Sequence, residues 1–308
     1  MRVWLLVVAL PVVAASPAVA SGTAADKLWI HGSPDCATND DPAIDIYRHD
    51  ADTYILRQNK CVNFEAPFIY VLFGERTVLV LDTGATAEPK QFPIYESVRG
   101  LMSARGNQEI KTLVAHSHSH GDHREGDSQF QGKPGVTVVA PEAEAVRKYF
   151  GFSSWPQGEA TVDLGGRTLT VFPAPGHQDE AIVLYDSRTG WLLTGDNLYP
   201  GRLYVRNWGE FRSSVRRMAE FSRTHPVSAV MGAHIEISRT GQLFEAGSKY
   251  QPGEAALPLT ANDLLELDKV LAPAGDESKE IVTPRFAVVP IAAFWRILGD
   301  VISWLGIR

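Results

Sequence analysis

The segment from His118 to His123 constrains this chain more than any other part of its sequence. Three histidines and an aspartate (His118, His120, Asp122 and His123) lie close together directly after the apolar run Thr112–Ala115. Imidazole and carboxylate groups are ligands that zinc prefers. Alternate side chains of an extended segment share a face, so His118 and His120 can bind one metal ion. The chain can turn at the glycine before Asp122, so Asp122 and His123 can face a second ion. Two metals roughly 3.5–4 Å apart form a known hydrolytic device.

Further ligand-type residues follow predicted strands. They are His177 after Leu169–Phe172, Asp196 after Trp191–Leu193 and His234 after Val227–Val230. Upstream, the apolar run Val78–Leu81 ends in Asp82-Thr83-Gly84. Residues at strand ends stand on rigid elements that can hold a site.

These motifs resemble the metallo-β-lactamase superfamily over roughly residues 65 to 235. The pattern of strands and helices alone indicates an α/β fold, and the resemblance implies a four-layer αββα sandwich with metals at one sheet edge. It implies two zinc ions per chain, and sites of this composition also accept iron or manganese. The first ion would be bound by His118, His120 and His177, the second by Asp122, His123 and His234, and Asp196 would bridge the two.

The resemblance also implies a mechanism. A hydroxide held between the metals would be the nucleophile, because zinc lowers the pKa of bound water to about 7. Asp122 is predicted to be catalytic, since the two-metal mechanism requires it. Asp82 would orient a ligand or the motif loop. His116 lies on the same alternation as His118, so it either faces the metals or is a buried strand-end residue bonded to the backbone.

The chain departs from the common pattern of the family after two ligands. Gln178-Asp179-Glu180 follows His177, and Ile235-Glu236 follows His234, where many members have small residues. Both changes are expected to reshape the rim of the pocket, and the added acids to disfavour anionic substrates.

The predicted function is a dinuclear zinc hydrolase of a carboxylic ester, lactone or thioester. The alternative is a β-lactamase, but lactamases that resemble this family generally lack the bridging carboxylate that Asp196 supplies. Two further alternatives use iron: an oxygen-reducing di-iron centre, for which no flavin-binding domain is recognisable, and a single-iron persulfide dioxygenase. A metal-binding protein without catalysis is disfavoured by the complete set of ligand-type residues.

Export is predicted from the N-terminus. Residues 1–20 resemble a secretory signal peptide, with Arg2, the apolar run Val3–Val13 and the small residues Ala18–Ala20. An uncleaved membrane anchor is the alternative. The protein is therefore expected to be periplasmic or secreted, where Cys36 and Cys61 could form a disulfide or stay as buried thiols.

The remaining chain is predicted to consist of an extension (21–64, turn-rich and surface-wrapping up to 52), the catalytic domain (65–283) and a C-terminal tail (284–308). From Ile291 the tail has the pattern of an apolar helix, which could bind a membrane surface, pack on the domain or form a homo-oligomer contact. Deleting the tail is expected to change association and to spare the metal centre. The net charge of −7, without basic runs, favours a small-molecule substrate and not nucleic acid.

Two aromatic-rich segments, Tyr149–Pro156 and Tyr199–Trp208, are expected to shape the pocket. Their candidate substrate contacts are Trp155, Tyr199, Tyr204 and Trp208, which could instead pack beneath the loops. Three hairpins are predicted: Phe68–Phe73 with Thr77–Leu81, Thr161–Leu164 with Arg167–Phe172, and Ala181–Tyr185 with Trp191–Thr194. Helices are predicted over 89–104, after Pro141-Glu142, and over Phe211–Arg223.

Overall fold

The structure, a computed structural model, describes residues 23–107 and 109–291. The strands within them are β1 (Ile44–Arg48), β2 (Thr53–Gln58), β3 (Phe68–Phe73), β4 (Thr77–Leu81), β5 (Lys111–Ala115), β6 (Val136–Val138), β7 (Ala160–Asp163), β8 (Thr168–Pro173), β9 (Ile182–Asp186), β10 (Trp191–Gly195), β11 (Arg202–Val205), β12 (Ala229–Gly232), β13 (Pro258–Leu259), β14 (Ile281–Val282) and β15 (Ala287–Pro290). The α-helices are α1 (Ile94–Ala104), α2 (Gly121–Arg124), α3 (Asp127–Phe130), α4 (Ala143–Phe150), α5 (Trp208–Thr224) and α6 (Ala261–Leu271).

The strands form three sheets. The first has the order β1-β2-β3-β4-β5-β6, the second β13-β12-β10-β9-β8-β7 and the third β11-β15-β14. In the first sheet β1 to β4 are antiparallel, whereas β4, β5 and β6 are parallel. The second sheet is antiparallel except where β10 lies parallel to β12.

The alternation of side chains along β4 explains how the layers stack. Leu79 and Leu81 point into an apolar core shared with the second sheet, where they join Leu184 of β9. Val78 and Val80 point to the opposite face, which α1 covers. Strands buried on both faces are expected to be continuously apolar, as β4 is from Val78 to Leu81.

Helices α5 and α6 cover the outer face of the second sheet, where Phe211 and Leu264 belong to the same apolar core as Val183. The layers are therefore helix, sheet, sheet and helix, and the predicted αββα sandwich is confirmed.

The three predicted hairpins are confirmed by the pairings of β3 with β4, β7 with β8 and β9 with β10. Helix α1 begins five residues later than predicted (at 94, not 89) because Pro93 stands at its N-cap. Helix α5 begins three residues earlier than predicted (at 208, not 211), since Asn207 caps it by accepting a hydrogen bond from the Glu210 amide.

The N-terminal part of the chain is more ordered than its turn-rich composition indicated. The prediction that residues up to 52 wrap the surface missed β1, which forms an edge of the first sheet. Arg57 of β2 makes a buried ion pair with Glu254, with Nη1 2.5 Å from Oε2. Cys36 and Cys61 form a disulfide, which settles the choice that the sequence left open.

The two chain ends were predicted to carry a signal peptide and an apolar helix. Residues 1–20 and 292–308 lie outside the described residues. Strand β15, however, falls inside the range predicted as a tail. Val288 in this strand and Phe286 just before it are fully buried, so this part of the predicted tail belongs to the folded domain. Between residues 23 and 291, leaving aside 108, no helix has the length and apolarity needed to span a membrane.

Candidate metal centre

The predicted ligands meet at one edge of the sandwich. The histidine motif leaves β5 and passes into the short helix α2, while His177, Asp196 and His234 follow β8, β10 and β12. Residues far apart in sequence thus converge because their strands end at the same edge. Two groups form there: His118, His120, His177 and Asp196 in one, and Asp122, His123 and His234 in the other.

In the first group, three imidazole nitrogens face one another. His118 Nε2 lies 2.9 Å from His120 Nδ1 and 3.2 Å from His177 Nε2, and the His120 and His177 atoms are 3.0 Å apart. All three side chains are largely or fully buried.

In the second group, Asp122 Oδ2 lies 3.2 Å from His123 Nε2 and 3.3 Å from His234 Nε2. Asp196 stands between the groups. Its Oδ1 is 3.5 Å from both His123 Nε2 and His234 Nε2, and its Oδ2 is 3.5 Å from His177 Nε2. The carboxylate of Asp196 can therefore share its two oxygens between two positions.

Each histidine has a polar partner on the nitrogen that points away from the centre. These partners are Ser117 Oγ for His118, the Gln178 amide for His120, the Tyr204 carbonyl for His177, Asp82 Oδ2 for His123 and the Glu65 carbonyl for His234. Such partners fix the tautomer and the orientation of a metal-binding imidazole. An outer nitrogen that donates its proton leaves a lone pair on the inner nitrogen, aimed at the centre.

The centre contains polar atoms without a partner among the described residues. His123 Nε2 and Asp196 Oδ1 are buried and have no hydrogen bond. Buried polar atoms are normally satisfied, so each exception needs an explanation. Two divalent ions between the groups would satisfy these atoms, and the imidazole and carboxylate donors suit zinc. The residues present therefore fit the metals that the sequence predicts.

Burial and charge give the two groups different proton affinities. In the first group, burial lowers the pKa of His120 to about 4 and that of His177 to about 3, and drives the pKa of His118 well below its ordinary value. In the second group, burial alone would lower the pKa of His234, but Asp196 and Asp122 outweigh it and raise the pKa to about 9.

The same balance raises the pKa of His123 well above its ordinary value, through Asp122, Asp82 and Asp196. Burial raises the pKa of Asp196 itself to about 6. Without metal, the first group is thus a set of neutral imidazoles, while the second carries protons that metal must displace.

Asp82 lies directly behind the histidine motif. Its Oδ1 accepts a hydrogen bond from the Ser117 amide at 2.7 Å, and its Oδ2 accepts one from the Ser117 hydroxyl at 2.9 Å. Asp82 adopts a left-handed φ of 69°, which turns the chain sharply after β4. Gly195 approaches from the other side, so closely that a Cβ there would lie 2.5 Å from Ser117 Cβ.

His116 faces neither the metals nor a backbone carbonyl. Its Nε2 is 2.8 Å from Asp127 Oδ1, and the same oxygen accepts a hydrogen bond from the Thr83 hydroxyl. The alternative that turned His116 toward the metals is wrong. The alternative of a buried strand-end residue is right about the burial and wrong about the backbone partner, because α3 brings the carboxylate of Asp127 to this strand end. His116 therefore supports the loop after β4, one layer behind the centre.

The four aromatic candidates for substrate contact lie in different surroundings. The Tyr199 ring packs edge-on against His234, with centroids 5.4 Å apart, while Tyr204 is half-buried and its carbonyl binds His177. Trp155 packs against Phe152 at 5.5 Å. Trp208 is buried in the outer core and its indole N–H donates to the Gly275 carbonyl, so this ring serves packing. Of the four, Tyr199 and Tyr204 are the two that touch predicted ligands.

A cleft of about 540 Å³ opens beside Asp122. Its walls include the exposed ring of Phe64 and the carboxylates of Glu65 and Glu88, and it contains no lysine or arginine. A substrate that approaches Asp122 through this cleft would meet negative charge.

Several supporting residues were missed by the sequence prediction. Ser117 and Gln178 bind the outer nitrogens of predicted ligands, and Glu180 accepts a hydrogen bond from the Ser119 amide at 2.8 Å. Glu180 and Glu236 both accept hydrogen bonds from backbone amides, and the expectation that the added acids disfavour anionic substrates stays a prediction. The departure of Gln178-Asp179-Glu180 from the family pattern was the available signal.

Comparisons with known proteins identify the family to which the chain belongs. The family model of the metallo-beta-lactamase superfamily matches residues 62–234. The acyl-coenzyme A thioesterase MBLAC2 of Bos taurus is 26% identical over 223 residues, which cover 59% of this chain and 77% of that protein. The hydroxyacylglutathione hydrolase of Chelativorans sp. is 27% identical over 145 residues, covering 45% of this chain and 54% of that protein.

Solved structures share the fold. The metallo-beta-lactamase from Hirschia baltica superposes with a TM-score of 0.52 at 16% identity, covering 75% of this chain and 98% of that one. The metallo-beta-lactamase FIM-1 from Pseudomonas aeruginosa superposes with a TM-score of 0.51 at 14% identity, covering 78% of this chain and 99% of that one. At these identities the likeness extends to the fold alone.

Proposed function

The chain belongs to the metallo-beta-lactamase superfamily and is a metal-dependent hydrolase, and from this premise we propose that it is an exported dinuclear zinc hydrolase of carboxylic esters, lactones or thioesters. The observation that carries the dinuclear proposal is the placement of Asp196, whose two oxygens face two separate sets of ligand-type atoms. Bound divalent ions would activate water as the nucleophile and polarise the carbonyl of the substrate.

The protein's own residues have distinct tasks in this proposal. His118, His120 and His177 would hold one ion, and Asp122, His123 and His234 the other, with Asp196 shared between them. Their outer hydrogen bonds keep the rings in place, so that little reorganisation is needed when substrate arrives. Asp122 ties the second group together by lying near both of its histidines.

Among the three ester classes, thioesters are favoured. The relatives from Bos taurus and Chelativorans sp. are named as a thioesterase and as a hydrolase of acylated glutathione. The acidic cleft beside Asp122 would receive a neutral or cationic part of the substrate, so that the phosphates of an acyl-coenzyme A would have to lie outside this cleft. A small-molecule substrate, and not a nucleic acid, also suits the net charge of −7.

Export rests on separate support. The apolar start of the chain resembles a signal peptide, and the Cys36–Cys61 disulfide suits an oxidising compartment such as the periplasm or the cell exterior. Cell fractionation of the expressed full-length chain, with N-terminal sequencing of the product, tests this part. A product that keeps residue 1 and stays in the cytoplasm would refute it.

The apolar C-terminal tail is proposed as a contact for a membrane surface or a second copy of the chain. Liposome flotation and gel filtration of the full chain, compared with a chain that ends at residue 291, test the two contacts. Unchanged behaviour in both assays would refute an association role.

The central experiment compares hydrolysis by zinc-loaded and chelator-treated protein. An acyl-coenzyme A, a simple aryl ester, a lactone and a chromogenic cephalosporin would be assayed side by side, after metal analysis of the loaded protein. We expect chelator-sensitive turnover of the thioester, ester or lactone, and about two zinc ions per chain. Efficient turnover of the cephalosporin alone would make the chain a β-lactamase and overturn the proposal.

A further inference from the structure

The tripeptide Gln178-Asp179-Glu180 stands directly after His177, in the loop between β8 and β9. Its three side chains differ in exposure. Gln178 is partly buried, Asp179 is exposed and Glu180 is buried at 7% exposure. Two of the three thus turn toward the protein, although all are polar.

Gln178 contacts the imidazole of His120 at the nitrogen that faces away from the centre. The structure places its side-chain nitrogen, Nε2, against Nε2 of His120, and two N–H donors cannot both donate to each other there. The two ends of an amide are nearly indistinguishable in shape, so the hydrogen-bond pattern decides which end faces the ring. The oxygen of Gln178 is the end that suits this contact, because it accepts the Nε2 proton and leaves a lone pair on Nδ1.

That lone pair is where the first group needs it. Nδ1 of His120 lies 2.9 Å from His118 Nε2 and 3.0 Å from His177 Nε2. The opposite tautomer would place a proton among these nitrogens, where a metal ion would bind. Gln178 therefore selects the binding tautomer of a ligand that is adjacent in space and distant in sequence.

Glu180 acts on the backbone of the same segment. Its Oε1 accepts a hydrogen bond from the amide of Ser119 at 2.8 Å, and Ser119 lies between His118 and His120. The Ser119 carbonyl accepts a hydrogen bond from Arg124 Nε at 2.7 Å. The peptide between the two histidines is thus held on both sides.

We propose that Gln178 and Glu180 are positioning residues that set the metal affinity and the coordination geometry of the first group, His118, His120 and His177. One loop thereby supplies a ligand, His177, and also orients the other two. The inference rests on the proposed metal centre and extends it to residues outside the ligand set. Loss of such partners typically weakens metal binding by about 10-fold to 100-fold.

The test measures metal binding directly, by competition with a chromophoric chelator and by the visible absorption spectrum of the cobalt(II)-substituted protein. Gln178→Ala is expected to weaken one of two bound ions by about 10-fold to 100-fold and to change the cobalt spectrum. Gln178→Glu keeps an acceptor oxygen and should restore both. Glu180→Ala is expected to weaken the same ion, and Glu180→Gln, which keeps the acceptor, should not.

Asp179→Asn is the matched control, because Asp179 belongs to the same loop and is exposed. It should leave the affinity and the spectrum unchanged. Circular dichroism of each variant checks that the fold is kept. If Gln178→Ala does not fold, the inference is tested by the metal affinity of Gln178→Glu and by the comparison of Glu180→Ala with Glu180→Gln. Wild-type affinity and spectrum in Gln178→Ala would overturn this inference alone, whereas a wild-type protein that binds no metal would overturn the proposed function as well.

Discussion

Asp82 Oδ2 accepts a hydrogen bond from His123 Nδ1 at 2.9 Å, which joins the end of β4 to the second group of ligands. The same carboxylate holds both the amide and the hydroxyl of Ser117. One side chain therefore fixes the start of the histidine motif and the tautomer of its last histidine.

Replacing Asp82 should weaken the second metal ion. Asp82→Asn can still accept from the Ser117 amide, but its NH₂ group would oppose the Nδ1 proton of His123. We expect metal affinity to fall by about 10-fold to 100-fold, measured by chelator competition. Asp82→Ala should in addition lower the free energy of unfolding by about 1–3 kcal/mol, because buried donors lose their acceptor. Undiminished affinity in Asp82→Asn would contradict this role.

Asp122 should be required for turnover and not for folding. Its carboxylate lies near both His123 and His234, and it stands at the rim of the acidic cleft. Asp122→Ala is expected to lower kcat/KM by about 100-fold or more while the circular dichroism spectrum is kept. Glu88→Ala, in the same cleft, is the control and should keep the kcat/KM of the wild type. Intact turnover in Asp122→Ala would refute the two-metal mechanism.

Zinc binding should release protons at neutral pH. Metal-free His234 has a pKa of about 9, so it is charged at pH 7, whereas His120 and His177, with pKa values of about 4 and about 3, are already neutral. Loading the second group must therefore displace at least one proton, and affinity should fall as the pH drops below about 9. A pH indicator in weak buffer measures the release; pH-independent binding between 6 and 9 would contradict it.

The raised pKa of His234 also predicts how the metal-free protein responds to pH. Its folded pKa of about 9 exceeds the ordinary value of 6.5, so its charge stabilises the fold. This contribution is fully present below about pH 6.5 and is lost as the pH rises through about 9. Urea unfolding of chelated protein at pH 6.5 and 9.5 measures the loss. His234→Asn is the control and should show a smaller loss, because His123, whose pKa is also raised, remains.

The disulfide should stabilise the N-terminal part of the chain. Cys36 and Cys61 are separated by 25 residues, and closing such a loop contributes roughly 3 kcal/mol to the free energy of unfolding. The double variant Cys36→Ser with Cys61→Ser should lose about that amount in urea unfolding. Reduction should destabilise the wild type equally and leave the variant unaffected; a wild type insensitive to reduction would contradict the prediction.

The sequence predicted the fold and the convergence of the ligand-type residues because both depend on short patterns. Apolar strands that each end in a ligand-type residue, such as His177 after β8, encode both the sheet edge and its chemistry. The hairpins were equally readable, since alternation and turn residues are local. Helix ends were less so, because Asn207 caps α5 through a contact that composition alone does not reveal.

Partners of the ligands were not predictable in the same way. His116 has a carboxylate partner in Asp127, and Gln178 contacts a ring nearly sixty residues earlier in the chain. Each contact depends on how a loop folds over the strand edge, and the spacing of apolar residues in the sequence does not predict the conformation of a loop. Trp208 was predicted to contact substrate because it follows Asp196 closely in sequence, but its ring is buried in the outer core. Proximity in sequence to a ligand therefore did not predict proximity to the site.

The pairing of β11 with β15 predicts when, during synthesis, the first group of ligands is completed. The Tyr204 carbonyl in β11 holds His177, and the strand that pairs with β11 is β15, near the end of the described chain. Residues up to 290 must therefore leave the ribosome before β11 gains this partner. We expect the first group of ligands to mature only after β15 has been synthesised, so that metal is acquired by a domain that already contains this strand pair.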